Sequence, residues 1–356
     1  MDTKTKKKKV AILIVSFNAR EYLDECIGSL LQYASSRVEE NIVVYDNHSN
    51  DGTPDYILNR WPQVTVIKSE VNYGYAGGNV RGWEIIQREG PVDYLILLNQ
   101  DTLVTQGWVE RLVDFMDAHA KAGSAQPLLM LYPETQKINS NGNIIQYLGF
   151  GYSSYNSHAL TSIALREHRI NYASGAATIL RPEALHEVSL FEEFMFMYLE
   201  DLDLGWRLTL AGWENYLVPE SVVYHKYEFH RGMRQFYFFE RNRLWILLKN
   251  YRPLTLLLLL PVLLFMEAGI LLRSAGSNAF FSKVRAYLFF LKLKNIRELI
   301  RMHKSVASIR RRSDRHMLDS FSPVIRFQPL ASPILMFIVN PVLWGYYQVI
   351  RFFIFW

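Results

Sequence analysis

From Val10 to about His119 the chain repeats one rhythm: a short apolar run, a turn rich in Gly, Asn and Asp, then an amphipathic stretch. Val10–Ser16 precedes a helical segment from about Arg20 to Tyr33. Asn41–Tyr45 ends at Asp46-Asn47-His48-Ser49-Asn50-Asp51-Gly52-Thr53, where Thr53 or Asp51 can cap the next helix. Val64–Ser69 leads to a helix over Ala76–Arg88. Tyr94–Leu98 stops at Asn99-Gln100-Asp101, and the helix Trp108–His119 carries Val109, Leu112, Val113 and Met116 on one face. Strands alternating with helices at this spacing specify an α/β chain, its sheet mostly parallel and flanked by helices on both faces. Ligands of such sheets bind beyond the carboxyl ends of the strands, which is where the polar clusters fall.

Between Gly123 and Tyr172 the rhythm loosens, and Asn139-Ser140-Asn141-Gly142-Asn143 marks a turn, so a substrate-facing insertion is expected there. Order returns with a strand at Ala176–Leu180, a helix at Glu200–Ala211 and short strands at Glu214–Val218 and Val222–Tyr224. A helical stretch, Arg234–Asn250, links to the apolar remainder. No internal repeat is visible. The expected division is a catalytic α/β domain over 1–250 and a helical, membrane-associated region over 251–356.

Half of the 356 residues are hydrophobic, which excludes a disordered chain. The single cysteine, Cys26, excludes an intramolecular disulfide and a multi-cysteine metal site, and fits a reducing compartment. The basic run Lys6–Lys9 leading into Val10–Val15 imitates a signal peptide. Its apolar part is too short and soon meets Asn18, Arg20 and Glu21, so it reads as a first strand whose domain stays in the cytoplasm. Most of the +5 net charge sits in the C-terminal third beside apolar runs. Nucleic-acid motifs are absent, so anionic lipid is the expected partner rather than nucleic acid.

Three acidic clusters carry the chemistry. Asp46, with Asp51 close behind, is placed to accept hydrogen bonds from a base N–H or ribose hydroxyls; a turn and helix cap is the other reading. Asp101 follows a fully apolar strand. A carboxylate there can hold a divalent cation against a diphosphate, or cap the helix that follows. Glu200-Asp201-Leu202-Asp203 opens a helix whose dipole favours the ionised carboxylate, as a general base requires. The run Asn72-Tyr73-Gly74-Tyr75-Ala76-Gly77-Gly78-Asn79-Val80-Arg81-Gly82 allows close backbone approach to a ligand. It is not a dinucleotide fingerprint, because it follows the third strand and lacks G-x-G-x-x-G. His225, after an apolar strand, can add an imidazole to a metal site or simply sit in the core.

Taken in order, these pieces resemble glycosyltransferase family 2, inverting enzymes of the GT-A fold, and within it the rhamnosyltransferase-like branch. The matching segments are Val15-Ser16-Phe17-Asn18, Asp46 to Thr53, Asn72 to Gly82, Leu97-Leu98-Asn99-Gln100-Asp101, Ser174-Gly175-Ala176, Tyr198 to Leu204, and Arg241-Asn242-Arg243. The resemblance implies donor contacts at Val15, Phe17, Asn18, Asp46, Asp51, Gly74, Gly78, Asn79, Asn99 and Gln100. It implies a divalent metal, Mg²⁺ or Mn²⁺, at Asp101 with His225. Asp201 would be the base, with Glu200 beside it, and Ser174, Gly175 and Ala176 would line the acceptor side. The family's D-x-D is Asn99-Gln100-Asp101 here, which leaves one carboxylate for the metal, and Val80 stands where relatives often carry Asn. The implied partners are a dTDP- or UDP-linked sugar and a glycan or lipid-linked acceptor.

Pro253–Leu272 is long and apolar enough to span a bilayer. It contains Pro261 and Glu267, which point to a broken, re-entrant or surface-lying element. A second apolar stretch covers Pro329–Trp356. The basic residues between them, from Lys283 to Arg315, would lie outside if the first stretch spanned, against the positive-inside tendency. The expected placement is therefore monotopic or peripheral, on the cytoplasmic face of the plasma (inner) membrane. A buried helical subdomain is the alternative. Two rival functions remain: a catalytically degenerate nucleotide-sugar sensor, and a nucleotidyltransferase, which would want a Gly-rich basic loop where this chain has Ser16-Phe17-Asn18-Ala19.

Overall fold

The computed structural model describes residues 7–227, 235–326 and 332–356. Lys6, Arg234 and Pro329, which open three of the segments read above, lie outside the described residues. The chain forms two compact units. The first comprises Met1–Asn143, Ser153–Gly205 and Trp213–Tyr227; the second comprises Ile144–Tyr152, Trp206–Gly212 and Glu228–Trp356.

In the first unit the alternation appears as β1 (Lys8–Ser16), α1 (Arg20–Gln32), β2 (Val38–Asp46), α2 (Thr53–Arg60), β3 (Thr65–Lys68), α3 (Gly74–Glu89) and β4 (Tyr94–Leu98). Next come β5 (Thr102–Val104), α4 (Trp108–Ala118), β6 (Ala122–Leu131) and β7 (Ile138–Ser140). A small ribbon, β8 (Asn143–Ile145) paired with β9 (Gly151–Ser153), belongs mostly to the second unit. The first unit is completed by β10 (His168–Ile170), β11 (Ala177–Leu180), α5 (Pro182–Val188), the start of α6 (Glu200–Leu210) and β12 (Glu214–His225). The main sheet runs β10-β12-β6-β11-β4-β1-β2-β3, with β5 on β12 and β7 on β6.

β1, β2, β3 and β4 are parallel, with Ser16 opposite Asp46 and Asp46 opposite Lys68, so their carboxyl ends share one edge. β1 is buried from Val10 to Ser16, as expected of a parallel strand covered on both faces. Its Val10, Ile12 and Ile14 pack into one core with Leu23, Ile27 and Leu30 of α1 and Trp108, Leu112 and Met116 of α4. β11 runs antiparallel to β4, with Ala177 opposite Leu98, so Ser174–Ala176 arrive at the same edge. This is the mixed, mostly parallel sheet expected.

The loosened segment differs from expectation. Ala122–Leu131 is an interior strand, β6, lying between β12 and β11. Its apolar pattern is interrupted by polar side chains that satisfy one another in the core. Ser124 Oγ donates to Asn215 Oδ1 at 2.7 Å, and Asn143 Nδ2 donates to Gln126 Oε1 at 3.0 Å. Buried polar groups need such partners, and here they replace the hydrophobic signal. The two short strands read at Glu214–Val218 and Val222–Tyr224 are one strand, irregular in register between Val218 and Val222.

The second unit contains α7 (Phe236–Asn250), α8 (Pro253–Ser274), α9 (Asn278–Phe290), α10 (Leu293–Ile309), α11 (Asp314–Ser320) and α12 (Asn340–Phe353). Of the broken, re-entrant or surface-lying element expected at Pro253–Leu272, the break is absent: Pro253–Ser274 is one continuous helix with Pro261 inside it. Glu267 is accommodated by pairing: Arg243 Nη2 lies 2.5 Å from Glu267 and 2.8 Å from Glu240. The Lys283 ammonium contacts both carboxylates, at 2.5 Å for Glu267, and the Tyr287 hydroxyl donates to Glu267 at 2.5 Å. Trp206 meets Tyr251 and Phe321 edge-on, with centroids 4.8 and 4.7 Å apart. On α8, Leu254, Leu257, Leu260 and Leu264 stay exposed.

Candidate active site

Asp46, Asp101 and His225 sit where strands of the first unit end, the glycine run opens α3, and Glu200 and Asp201 open α6. Asp46 closes β2 and is almost fully buried. Its Oδ2 accepts the Ser49 N–H at 3.0 Å, whereas Oδ1 and the neighbouring Ser16 Oγ have no partner among the described residues. A buried oxygen left unpaired costs free energy unless a ligand completes it, and a base or ribose donor would do so. Asn47 clamps the start of α3 from both sides. Its Nδ2 donates to the Gly74 carbonyl and its Oδ1 accepts the Tyr73 N–H, each at 2.8 Å.

The glycine run packs as its composition suggests. Gly74 sits at φ +70°, and at Gly78 a Cβ would lie 2.7 Å from Val15 Cγ1, so a side chain there would push α3 off β1. Asn79 is buried, with Nδ2 on the Tyr75 carbonyl at 2.8 Å and Oδ1 unpaired. Asn18, at φ 47°, ties the first two strand ends together. Its N–H donates to Ser49 Oγ, and its Oδ1 accepts from Asn50 N–H, both at 2.9 Å. Gln100 Oε1 accepts the N–H of exposed Phe17 at 3.1 Å. Asn99 serves through its backbone, its N–H donating to the Ala176 carbonyl at 2.9 Å. Asp51 is engaged within its own turn, accepting from Thr53 N–H at 3.0 Å and Thr53 Oγ1 at 2.5 Å. That is the turn-and-cap reading.

β12 ends antiparallel to β5, with His225 opposite Thr102, and this brings His225 Nε2 to 3.4 Å from Asp101 Oδ1. The other ring nitrogen, Nδ1, faces Asn139 Oδ1 at 3.0 Å. With that oxygen accepting, Nδ1 donates, and Nε2 faces the carboxylate. Such a carboxylate–imidazole pair, its ring oriented from behind, suits a divalent cation. Among the described residues no third His, Cys, Asp or Glu completes a cluster, so diphosphate oxygens and water would supply the remaining ligands.

Asp201 stands in the first turn of α6. Its Oδ2 accepts the Gly175 N–H at 3.0 Å and its Oδ1 the Leu202 N–H at 2.7 Å. Burial raises its carboxyl above the usual range, and these N–H donors oppose that rise by stabilising the ionised form. Glu200 has no such donors on Oε2. Burial, and then the charge of Asp201, push it up to about 8. The neighbouring carboxyls therefore differ in kind: burial raises both, but Asp201 accepts the N–H groups of Gly175 and Leu202, which favour its ionised form. Ser174 is held by its N–H on Gln126 Oε1 at 2.8 Å, and its Oγ accepts the Ala176 N–H at 3.2 Å.

The sequence reading passed over Asn47, Tyr75, Gln126 and Asn139. Asn139 lies in the Asn-Ser-Asn-Gly-Asn run read as a turn, and only the fold shows that its amide backs His225.

The family model described as "Glycosyl transferase family 2" matches residues 11–188. Two relatives from Mycobacterium tuberculosis (strains CDC 1551 / Oshkosh and ATCC 25618 / H37Rv) are each named N-acetylglucosaminyl-diphospho-decaprenol L-rhamnosyltransferase. Each is 27% identical over 60% of this chain and 75% of its own length. Among solved structures, GalNAc-T7 with UDP, GalNAc and Mn²⁺ superposes with a TM-score of 0.54 at 14% identity. The match covers 69% of this chain and 49% of that one, so this chain spans about half the length of that structure and shares its fold. The strand-end carboxylates lie along one edge of a GT-A sheet, the glycine run opens the helix that follows β3, and with residues 11–188 matched the chain belongs to glycosyl transferase family 2 as a glycosyltransferase.

Proposed function

We propose that this glycosyltransferase is inverting, and moves rhamnose from a dTDP- or UDP-linked donor onto a hydroxyl of a lipid-linked glycan for cell-surface polysaccharide. The observation that carries the mechanism is the Asp201 carboxylate at the head of α6, accepting two backbone N–H groups that favour its ionised form. Asp46 with Ser16 receives the nucleoside, and the α3 glycines let the backbone approach the donor. Asp101 and His225 would hold the divalent ion, Mg²⁺ or Mn²⁺, whose charge neutralises the departing diphosphate. Asp201 accepts the acceptor proton as the hydroxyl attacks the anomeric carbon from the face opposite the nucleotide. The sugar thus changes hands in one displacement with inverted configuration. Ser174, Gly175 and Ala176, beside Asp201, line the acceptor side.

The choice of rhamnose and of a polyprenyl-diphosphate acceptor rests on the name of the mycobacterial relatives. Mn²⁺ and a uridine nucleotide accompany the GalNAc-T7 structure. In this reading the transferase domain, residues 1–250, works at the cytoplasmic face of the plasma membrane, with 251–356 seated on it in monotopic or peripheral fashion. α8 is long and apolar enough, by length and composition, to cross a membrane. Its leucines and the exposed Phe337, Phe352 and Phe355 favour contact with lipid.

The test is nucleotide release by purified protein across dTDP-, UDP- and GDP-sugars, with Mg²⁺, Mn²⁺ or EDTA. The acceptor is N-acetylglucosaminyl-diphospho-polyprenol in anionic lipid. Metal-dependent turnover of a rhamnose donor, giving the inverted product, is expected. Turnover of another donor would replace the sugar assignment, and retention of configuration would remove the single-displacement mechanism.

A further inference from the structure

Three of the four residues just before Glu200 hold left-handed backbone angles without being glycine: Phe196 at φ 65°, Tyr198 at 69° and Leu199 at 67°. Phe196, with ψ −61°, centres a three-residue turn in which Met197 N–H donates to the Met195 carbonyl at 2.7 Å. This is the strained hand of that turn. Such a segment keeps its shape only where surrounding structure fixes it.

The brace is the first turn of α3. Ala76 N–H donates to the Phe196 carbonyl at 3.0 Å, and Gly74 passes so close that a Cβ would lie 2.3 Å from that same oxygen. One turn later Arg81 Nη2 meets Glu193 Oε2 at 3.0 Å. The same turn reaches Asp201 by a second route. The Tyr75 hydroxyl donates to the Gly175 carbonyl at 2.6 Å, and Gly175 N–H donates to Asp201 Oδ2 at 3.0 Å. Gly175 has no side chain to anchor it, and a Cβ there would come within 3.0 Å of the Tyr75 oxygen. On its other side the turn is gripped by Asn47, the residue after Asp46.

We propose that the first turn of α3 positions the Asp201 carboxylate, with Tyr75 as a positioning residue acting through Gly175, and that Asn47 ties this placement to the donor side. This inference rests on the reading of Asp201 as the base. Its consequence is directional. When the Tyr75 hydroxyl is removed, Gly175 loses the hydrogen bond on its carbonyl side and its N–H no longer stays aimed at Asp201. N–H donation favours the ionised carboxylate, so losing it raises the pH at which the base becomes competent.

The experiment compares Tyr75→Phe with the wild-type full chain, with Asp201→Asn alongside. Tyr75→Phe keeps the ring and so the packing. Affinity for dTDP and UDP is measured by calorimetry, and kcat as a function of pH in the transfer assay. Expected for Tyr75→Phe is nucleotide affinity within about twofold of wild type, kcat lowered about fivefold, the size of one lost hydrogen bond, and an acid limb moved to higher pH. Gly175→Ala, which presses on the same hydroxyl, should move the acid limb the same way. If Tyr75→Phe matches wild type in kcat and pH profile while Asp201→Asn is inactive, the positioning role is overturned and the base assignment stands. Weakened nucleotide affinity with unchanged kcat would make Tyr75 a donor contact and also overturn it. Normal turnover by Asp201→Asn would remove the base reading and this inference together.

Discussion

Lys283→Met removes a fully buried ammonium whose partners are the two carboxylates of Glu240 and Glu267. In the native unit two cations, Arg243 and Lys283, balance two anions, so the cluster is neutral. The variant leaves one guanidinium to serve both carboxylates in a place where water cannot help. Breaking a buried pair from one side costs about 3–5 kcal/mol, because the remaining charge stays uncompensated. At roughly 2–4 °C per kcal/mol this lowers the melting temperature of the helical unit by roughly 10 °C. Circular dichroism melts of the purified chain in detergent read the shift. The double variant Lys283→Met with Glu240→Gln leaves Arg243 opposite Glu267 and should recover most of the loss. A single variant costing under about 1 kcal/mol, or a double variant no better than the single, would refute the view that charge balance rather than packing sets this cost.

Asp101→Asn and His225→Gln should each reduce transfer by about 10²-fold or more, in the range of a lost electrostatic contact to the leaving group, and weaken manganese binding measured directly by calorimetry. Cys26 lies buried under β4 and β5, and burial pushes its thiol up to about 12. It should therefore resist thiol reagents in the folded chain and react at once in guanidinium. Glu200 is raised by burial from 4.5 to about 8, so the folded state holds a proton that the unfolded state has released. Its contribution to stability is full below about pH 4.5 and is lost as pH rises towards 8. Melting temperatures taken across this range should fall, and Glu200→Gln should flatten the fall.

The site edge was legible because the strands of the first unit are short apolar runs that stop abruptly. Leu98 is followed by Asn99-Gln100-Asp101 and Tyr45 by Asp46-Asn47, and the parallel sheet turns those breaks into one edge. Sequence pattern could not supply what depends on partners brought from afar. β6 hides its strand character behind Ser124 and Gln126, whose satisfaction comes from Asn215 and Asn143. Asn139 reads as turn chemistry until the fold sets it behind His225. Pro261 and Glu267 point to a broken, re-entrant or surface-lying element, since the partners of Glu267, Arg243 and Lys283, stand far off in sequence. Asp51 shows the reverse case: the local signal for a turn was present, and Thr53 takes its carboxylate.

The most direct test of the central claim is Asp201→Asn assayed for transfer and for donor binding on the same preparation. Asn keeps the shape and the bond from Gly175 but takes no proton. Transfer should fall by about 10²-fold or more, with dTDP or UDP affinity retained. Wild-type turnover by Asp201→Asn would contradict the claim that this carboxylate activates the acceptor.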